Sequence, residues 1–262
     1  MLAAVVTSPA ESADQPVKTG TLRGRLIFDG TPPPPQPLIA ANLAQSDRAD
    51  LRYYASLNLR DESVVVSPTG GLRDVLITVH DANFPTPPPT DKTLPHPPAE
   101  IIYENGNFAP RLLATDVGRT LLLRNNDRYA TNFRLQGQEN DINVMLLPGK
   151  SLVVPLKPEK RDLPILVNSS VYPWAKSYLY VGNHPLAAIT DASGDFELTG
   201  LPPGEWTFRV WHPHFGYLNM PHWPKGQFRV KIAVGGNDLE AVKVAPPPPP
   251  PVAPAQEREA RS

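Results

Sequence analysis

Residues 188–210, AITDASGDFELTGLPPGEWTFRV, decide the fold. The glycine-containing segment 191–195 predicts a hairpin turn, and in the strand that follows, Phe196 and Leu198 point to the same face. The next turn, LPPG at 201–204, ends on a glycine that can adopt a positive φ. Strand, turn and strand follow one another with hardly any spacer, which is typical of antiparallel β-structure.

The rest of the chain repeats this pattern. Short apolar or alternating runs bounded by turn residues recur from Thr21 to Val244, and only residues 39–58 could carry a helix, weakly. Many short strands at a spacing of roughly 8–12 residues predict β-sandwiches or barrels. The sequence therefore predicts an all-β fold.

The composition of the chain excludes several classes of fold and function. The 262 residues include 34 Pro and no Cys, which argues against a helical bundle and excludes disulfides, thiolate metal sites and a cysteine nucleophile. Lys and Arg number 25 against 26 Asp and Glu, and no basic patch points to nucleic acid. No apolar run approaches the ~18 residues that span a bilayer, and the common catalytic motifs are missing from the sequence. We expect a non-catalytic protein with no cofactor, no nucleic-acid partner and no transmembrane segment.

Proline-rich stretches and the two termini are predicted to lie outside the sandwiches. The stretches 32–37, 85–98 and 246–254 favour extended polyproline II structure and predict stiff spacers. The tail 246–262 is predicted to be disordered. Residues 1–18 begin with an apolar run followed by small residues, which is typical of the end of a signal peptide. Export to the periplasm or the extracellular space is therefore expected, with a short disordered terminus as the alternative.

Three segments carry a resemblance to a known β-module. They are residues 188–210, GTLRGRLIFDGTP at 20–32 and GLRDVLITV at 71–79. Together they resemble the transthyretin-like, carboxypeptidase-regulatory-type β-sandwich, a common non-catalytic exported module. They are also similar to the small β-domain of rhamnogalacturonan lyases.

This resemblance predicts one sandwich split by an inserted domain, since its last strands arrive only after residue 183. Insertions at loop tips are well tolerated, so the arrangement is physically reasonable. Two sandwiches fused in sequence, with a strand or two exchanged, are the alternative. The predicted segments are a leader remnant at 1–18, the first part of the split sandwich at 19–98, the insert at 99–183, the second part of the split sandwich at 184–245 and the polyproline tail at 246–262.

The insert carries VGRTLLLRNND at 117–127, LPGKSL at 147–152 and VNSSVYPWAKSY at 167–178. These motifs resemble the cupredoxin fold, and more closely the exported bacterial cupredoxin-like proteins labelled methylamine utilisation proteins. In that family a His-Pro pair and a Thr-Asp hairpin follow, as they do at 184–194. The resemblance covers roughly residues 19–218 and implies a cupredoxin-like Greek-key sandwich for the insert.

The same resemblance assigns positions to a type 1 copper site, which uses two imidazoles, a thiolate and a thioether. The first His position corresponds to Thr131, the Cys to Ser169, the second His to Tyr172 and the Met to Ala175. A hydroxyl and a phenol that stay protonated are not soft ligands, and Ala has no donor. The resemblance therefore implies a cupredoxin-like domain that has lost its copper ligands.

One loop near the C-terminal end contains the other candidate site residues. If the loop folds back and brings its imidazoles together, they could form a copper or zinc site. The simpler interpretation is that they are surface histidines at the end of a strand. The aromatic rings of the loop could contact a partner or stack on a sugar. The metal candidates are His212, His214 and His222, and the contact candidates are Trp223, Phe215 and Tyr217.

The sequence favours a non-enzymatic, exported structural or interaction module that is a subunit of a cell-envelope assembly and binds protein partners there. A carbohydrate-binding β-sandwich with a glycan ligand is the first alternative. A copper or zinc protein that uses the histidine loop at 212–222 is the second.

Overall fold

The computed structural model describes residues 18–87 and 96–245. Residues 1–17 of the predicted leader remnant, residues 88–95 of the second proline-rich stretch and the predicted tail 246–262 lie outside the described residues. Within the two described ranges, no helix is long and apolar enough to cross a membrane.

The predicted all-β class is confirmed. Helix α1 (Ala49–Ser56) forms within the region where a weak helix was predicted, after a 3-10 helix at Ala41–Gln45, and a second 3-10 helix spans Pro224–Gly226. The strands are β1 (Gly20–Phe28), β2 (Leu76–Val79), β3 (Ala99–Glu104), β4 (Asn107–Ala109), β5 (Leu112–Asp116), β6 (Thr120–Asn125), β7 (Thr131–Gln136), β8 (Asp141–Leu146), β9 (Ser151–Pro155), β10 (Ile165–Asn168), β11 (Lys176–Gly182), β12 (Ala187–Ile189), β13 (Asp195–Leu201), β14 (Gly204–His212), β15 (Gly216–Tyr217), β16 (Gln227–Ile232), β17 (Gly235–Asp238) and β18 (Val242–Val244).

The first sandwich joins the two ends of the described chain. In one sheet, β1 pairs antiparallel with β13 and parallel with β17 and β18. In the other sheet the order is β12-β2-β14-β15, and β16 also pairs with β14. Phe196 and Leu198, which alternation assigned to one face, are both buried in the core that these two sheets share.

A close backbone approach fixes the hairpin at 191–195 against the strand region that precedes β2. A Cβ atom on Gly71 would lie only 1.8 Å from the carbonyl oxygen of Ser193. Next to this contact, Thr190 Oγ1 donates to the carbonyl of Leu72 at 2.7 Å and accepts from the N–H of Val75 at 2.9 Å. Segments more than a hundred residues apart in sequence are thus held together by buried hydrogen bonds, in a space that admits only glycine.

The second sandwich is formed by the middle of the chain. One sheet has the order β4-β3-β6-β9 and the other the order β5-β11-β10-β7-β8. Strands β3 and β6 pair in parallel, as do β11 and β5, whereas the neighbouring pairs are antiparallel. Strands β8 and β9 each lie at the edge of a sheet. Apolar residues from both sheets form one separate core, which includes Ile101, Leu121, Leu123, Phe133, Leu135, Val167 and Leu179.

The segment 38–59 packs on this second core. Tyr54 of α1 is fully buried in it, and Leu43 and Leu51 contact the same cluster. The predicted division had assigned these residues to the first part of the split sandwich at 19–98. The apolar side chains of this segment pack against the core of the second sandwich, and the boundaries of the domains stay a prediction.

A charged cluster lies where the two sandwiches meet. Asp162, in the loop between β9 and β10, accepts a hydrogen bond from the hydroxyl of Tyr180 at 2.8 Å and lies 3.8 Å from Nη1 of Arg209. His80 Nδ1 lies 3.3 Å from the same carboxylate, and its Nε2 contacts Arg209. Since a guanidinium only donates, Nε2 of His80 accepts and Nδ1–H faces Asp162. An arginine of the first sandwich is therefore neutralised by a carboxylate of the second.

We expect Gly71→Ala to lower the free energy of unfolding by about 1–3 kcal/mol or more, because the added methyl carbon overlaps a carbonyl oxygen that cannot move away easily. Gly236→Ala is a matched control, since its Cβ would meet only the tip of the Arg23 side chain, 3.3 Å away. Neither glycine has a positive φ. Urea denaturation of both variants measures the difference, and equal losses would contradict the close approach.

Candidate functional site

The structure brings together the four positions that the resemblance assigns to copper ligands. Thr131 begins β7, and the other three lie in the connection from β10 to β11. The hydroxyl of Thr131 donates to that of Ser169 at 3.0 Å, and the N–H of Ala175 donates to the carbonyl of Tyr172 at 2.9 Å. Their relative exposures are 0%, 1%, 2% and 0% in chain order, so the cluster is closed to solvent.

One hydroxyl connects this cluster. Ser169 Oγ accepts from the backbone N–H of Val171 at 3.1 Å and of Tyr172 at 3.0 Å, and it lies 3.1 Å from Oδ1 of Asn132, to which it donates. We call Thr131, Asn132, Ser169 and these two N–H groups the Ser169 network. With one donated and several accepted bonds, the hydroxyl has no capacity left for a further ligand.

Asn132 is a member of the site that the sequence analysis missed. Its Oδ1 also accepts from the N–H of Ser170 at 2.8 Å, and its amide nitrogen donates to Oδ1 of Asn143 on the neighbouring strand at 2.8 Å. The three residues 131–133 are all buried, so the alternation of β7 does not single out this amide. A buried amide within a strand needs polar partners, and only the folded loop supplies them.

Helix α1 covers the network through Tyr172. The hydroxyl of Tyr172 donates to Oδ2 of Asp50 at 3.0 Å, and Arg48 pairs with the same carboxylate oxygen at 2.5 Å. The ring of Tyr54 lies edge-on to that of Tyr172, with 4.7 Å between centroids. The Arg48 guanidinium, more than the phenol, holds the pKa of Asp50 below its usual range against the opposing effect of burial, and burial raises the pKa of Tyr172.

A cluster of rings surrounds Tyr54 and closes this end of the sandwich. Its members, the aromatic cluster, are Tyr54, Tyr103, Tyr129, Tyr172 and Trp174. Burial raises the pKa of the phenols of Tyr54 and Tyr103, which therefore stay protonated. The indole N–H of Trp174 donates to the carbonyl of Gly106 at 2.9 Å. A Cβ on Gly106, whose φ is +78°, would approach Tyr54 to 2.7 Å, so the helix can dock only over a glycine.

The Asn-Asn-Asp motif at the end of β6 has a structural role. The amide nitrogen of Asn125 donates to the carbonyls of Tyr129 and Leu146, each at 2.9 Å. The carboxylate of Asp127 accepts from the N–H of Gly106 at 2.7 Å. Both side chains therefore position loops around the cluster rather than reach into it.

The donor set of the cluster does not fit a type 1 copper ion. Such a site needs imidazole and thiolate donors, whereas these positions offer three hydroxyls, one of them phenolic, and a methyl group. Within residues 18–87 and 96–245, no group of three or more His, Cys, Asp or Glu side chains is placed to hold a metal ion. Instead, the Ser169 network holds the connection between β10 and β11 in place through neutral hydrogen bonds.

The histidine loop does not gather its three imidazoles in the described structure. His212 is buried, its ring stacks on that of Phe215 with 4.8 Å between centroids, and its Nδ1 accepts from the N–H of His214 at 3.1 Å. Burial, and next the positive charge of Arg111, lower the pKa of His212 to about 3. His222 is exposed at the other end of the loop. His212 is therefore a neutral side chain packed in the protein.

The three aromatic contact candidates are half-buried. Trp223 stacks on Phe228 with 4.3 Å between centroids, and Phe215 stacks on Phe28 at 5.9 Å. The guanidinium of Arg209 lies 4.9 Å from the ring centre of Tyr217. These rings pack against the first sandwich and do not form a flat exposed surface. Their role in binding stays a prediction.

Comparison with known proteins gives likenesses of structure only. No family model matches the chain, and no curated protein matches it. Similar solved structures include a Cu-containing nitrite reductase from Thermus scotoductus SA-01, with 16% identity, coverage of 34% of this chain and 23% of that chain, and a TM-score of 0.28. A purple cupredoxin from Nitrosopumilus maritimus has 20% identity, coverage of 32% and 99%, and a TM-score of 0.26. Amicyanin from Paracoccus versutus has 12% identity, coverage of 40% and 97%, and a TM-score of 0.29. TM-scores this low do not support a fold assignment, so the fold is assigned from the strand pairing alone.

We expect Tyr172→Phe to lower the free energy of unfolding by about 1–2 kcal/mol at neutral pH, because it removes a buried hydrogen bond to a carboxylate. The folded-state pKa of Asp50 is depressed, so its contribution is present above the unfolded value of ~3.9 and is lost as the pH falls through the lower folded value. The difference between wild type and variant should therefore shrink as the pH falls below the unfolded value of ~3.9.

Urea denaturation at neutral and acidic pH measures this difference. Tyr178→Phe is the control, since the hydroxyl of Tyr178 has no hydrogen bond within the described residues. A difference between wild type and Tyr172→Phe that stays constant with pH would contradict a bond to an ionised Asp50.

Proposed function

We propose that this protein is a non-catalytic, exported structural or interaction module, whose second sandwich is cupredoxin-like without a type 1 copper site and whose first sandwich is transthyretin-like. The observation that carries the proposal is the Ser169 network. At the positions where the related family has metal ligands, a serine hydroxyl with bonds to Thr131, Asn132 and the loop backbone occupies the site.

The chemistry of this network supports a role without catalysis. Ser169 lacks a neighbouring base that could activate its hydroxyl, because its partners are a threonine, an amide and backbone N–H groups. Its exposure of 1% leaves no path for a substrate. The site therefore serves to fix the loop between β10 and β11 and to seat α1.

Open edge strands support an interaction role. Strands β8 and β9 end their sheets, and Met145, Leu147 and Val153 on or between them are 53%, 58% and 56% exposed. An uncovered edge presents unpaired backbone groups, and exposed apolar side chains beside it favour contact with another chain. The occupant that fits such an edge is an extended strand of a protein partner.

Carbohydrate binding has less support. Stacking on a sugar requires an aromatic face open to solvent, whereas Trp223 and Phe215 are each stacked on another ring of the protein. We therefore keep the interaction module as the proposal.

We expect the purified full chain, incubated with excess copper and then desalted, to retain far less than one copper per molecule and to lack the intense visible absorption of a copper–thiolate site. Elemental analysis and absorption spectroscopy measure this, with a tag that contains no histidine. Stoichiometric copper would contradict the proposal. If that copper were lost in His214→Ala, it would point instead to the histidine loop.

We also expect a stoichiometric protein partner to co-purify with the tagged chain from the envelope fraction of its native source. Val153→Lys should remove that partner, because a lysine on an edge strand opposes strand addition. Val234→Lys is the matched control, since Val234 is 55% exposed against 56% for Val153 but lies in the first sandwich. A chain isolated alone, or a partner lost equally in both variants, would contradict docking at this edge.

A further inference from the structure

A cavity of about 260 Å³ opens at the junction of the two sandwiches. It is lined by Asp61 and Ser63 from the segment before β2, by Asn107, Arg111 and Lys176 from the second sandwich, and by His214 from the histidine loop. The Ser169 network and strands β8 and β9 are not part of it. Its size suits a small molecule or the head group of a larger one.

The cavity carries unpaired positive charge. Within residues 18–87 and 96–245, neither Arg111 nor Lys176 forms an ion pair, and Nε of Arg111 is buried without a hydrogen-bond partner. Asp61 is the one acid of the lining, and its Oδ1 accepts from the N–H of Ser63 at 2.7 Å. The two cations Arg111 and Lys176 therefore face one carboxylate, which leaves a net positive charge.

Neutral donors are also available at this place. Oδ1 of Asn107 accepts from the N–H of Phe108 at 3.0 Å, and its amide nitrogen has no partner within the described residues. The hydroxyl of Ser63 is likewise without a partner in the described part of the chain. A guanidinium, an ammonium, an amide and a hydroxyl together form the donor set with which proteins hold oxyanions.

We propose that this cavity binds a small oxyanion, a carboxylate or phosphate group, with Arg111 and Lys176 as its charged contacts and Asn107 as a neutral donor. Because its lining comes from both sandwiches and the histidine loop, the bound anion would contact segments of both sandwiches. The site is independent of the edge strands to which the proposed partner docks.

A second observation agrees with this assignment. Burial is the largest cause of the lowered pKa of His212, and the positive charge of Arg111 lowers it further. The region therefore has a positive field that the protein itself does not neutralise. An arriving anion would reduce that field, which is favourable in a half-buried site.

Calorimetric titration of the full chain with inorganic phosphate, and separately with malonate, tests the proposal at constant moderate salt. We expect saturable binding of at least one of the two probes, and the tighter one identifies phosphate or carboxylate as the ligand group. Lys176→Gln and Arg111→Gln should each weaken that binding by about tenfold or more. Lys231→Gln, the same change at another exposed strand lysine, should leave it unchanged, and Asp61→Asn should tighten it.

The indole N–H signal of Trp174, which lines the cavity and is one of four tryptophans, should shift on titration and locate the site by NMR. Thermal unfolding of each variant checks that it is folded, and Lys176→Gln keeps the test decisive if Arg111→Gln fails to fold, because Lys176 is exposed. Absence of saturable binding overturns the proposal. So does binding that Lys176→Gln leaves intact, or that Lys231→Gln weakens equally.

Discussion

The hydrogen bonds of the Ser169 network are the interaction on which this end of the second sandwich depends. They join the start of β7 to the connection between β10 and β11, a junction that a metal ion would make in the family that the insert resembles. A neutral hydroxyl costs far less to bury than an ionised ligand, provided that its bonds are satisfied. Ser169 meets that condition through Thr131, Asn132 and the N–H of Tyr172, so the junction is stable without an ion.

The burial of Tyr172 and the docking of α1 both depend on the phenol at this position. An imidazole ligand requires a metal on one nitrogen and a polar partner on the other, whereas a phenol has a single polar atom at its tip. The ring of Tyr172 can therefore lie beneath Tyr54 while its hydroxyl reaches Asp50 at the edge of the helix. Gly106 completes the arrangement, because any side chain there would collide with Tyr54. Tyr172 and the covering helix therefore depend on each other.

The sequence was sufficient for features that rest on local periodicity or on turn chemistry. The strand after the 191–195 turn buries Phe196 and Leu198, as period-two alternation requires. The sequence was insufficient where apolar residues could pack in either of two cores. The apolar residues of 38–59 are equally consistent with both. The parallel pairing of β1 with β17 and β18 was likewise beyond reach, since strands so far apart in sequence leave no local signal. The role of Asn132 could not be predicted from the sequence either, because its hydrogen-bond partners come together only in the folded loop.

The two sides of the junction between the sandwiches differ in a way that packing alone does not explain. On one side Arg209 is paired with Asp162 and covers the ring of Tyr217, as expected of a half-buried cation that holds two surfaces together. On the other side Arg111 has no ion-pair partner within the described residues. The Nε atoms of both arginines are buried without a hydrogen-bond partner, so the difference between them lies in charge pairing. A cation that held the sandwiches together would have been paired as Arg209 is. The unpaired state of Arg111 is therefore better explained by a group from outside the chain than by the stability of the fold.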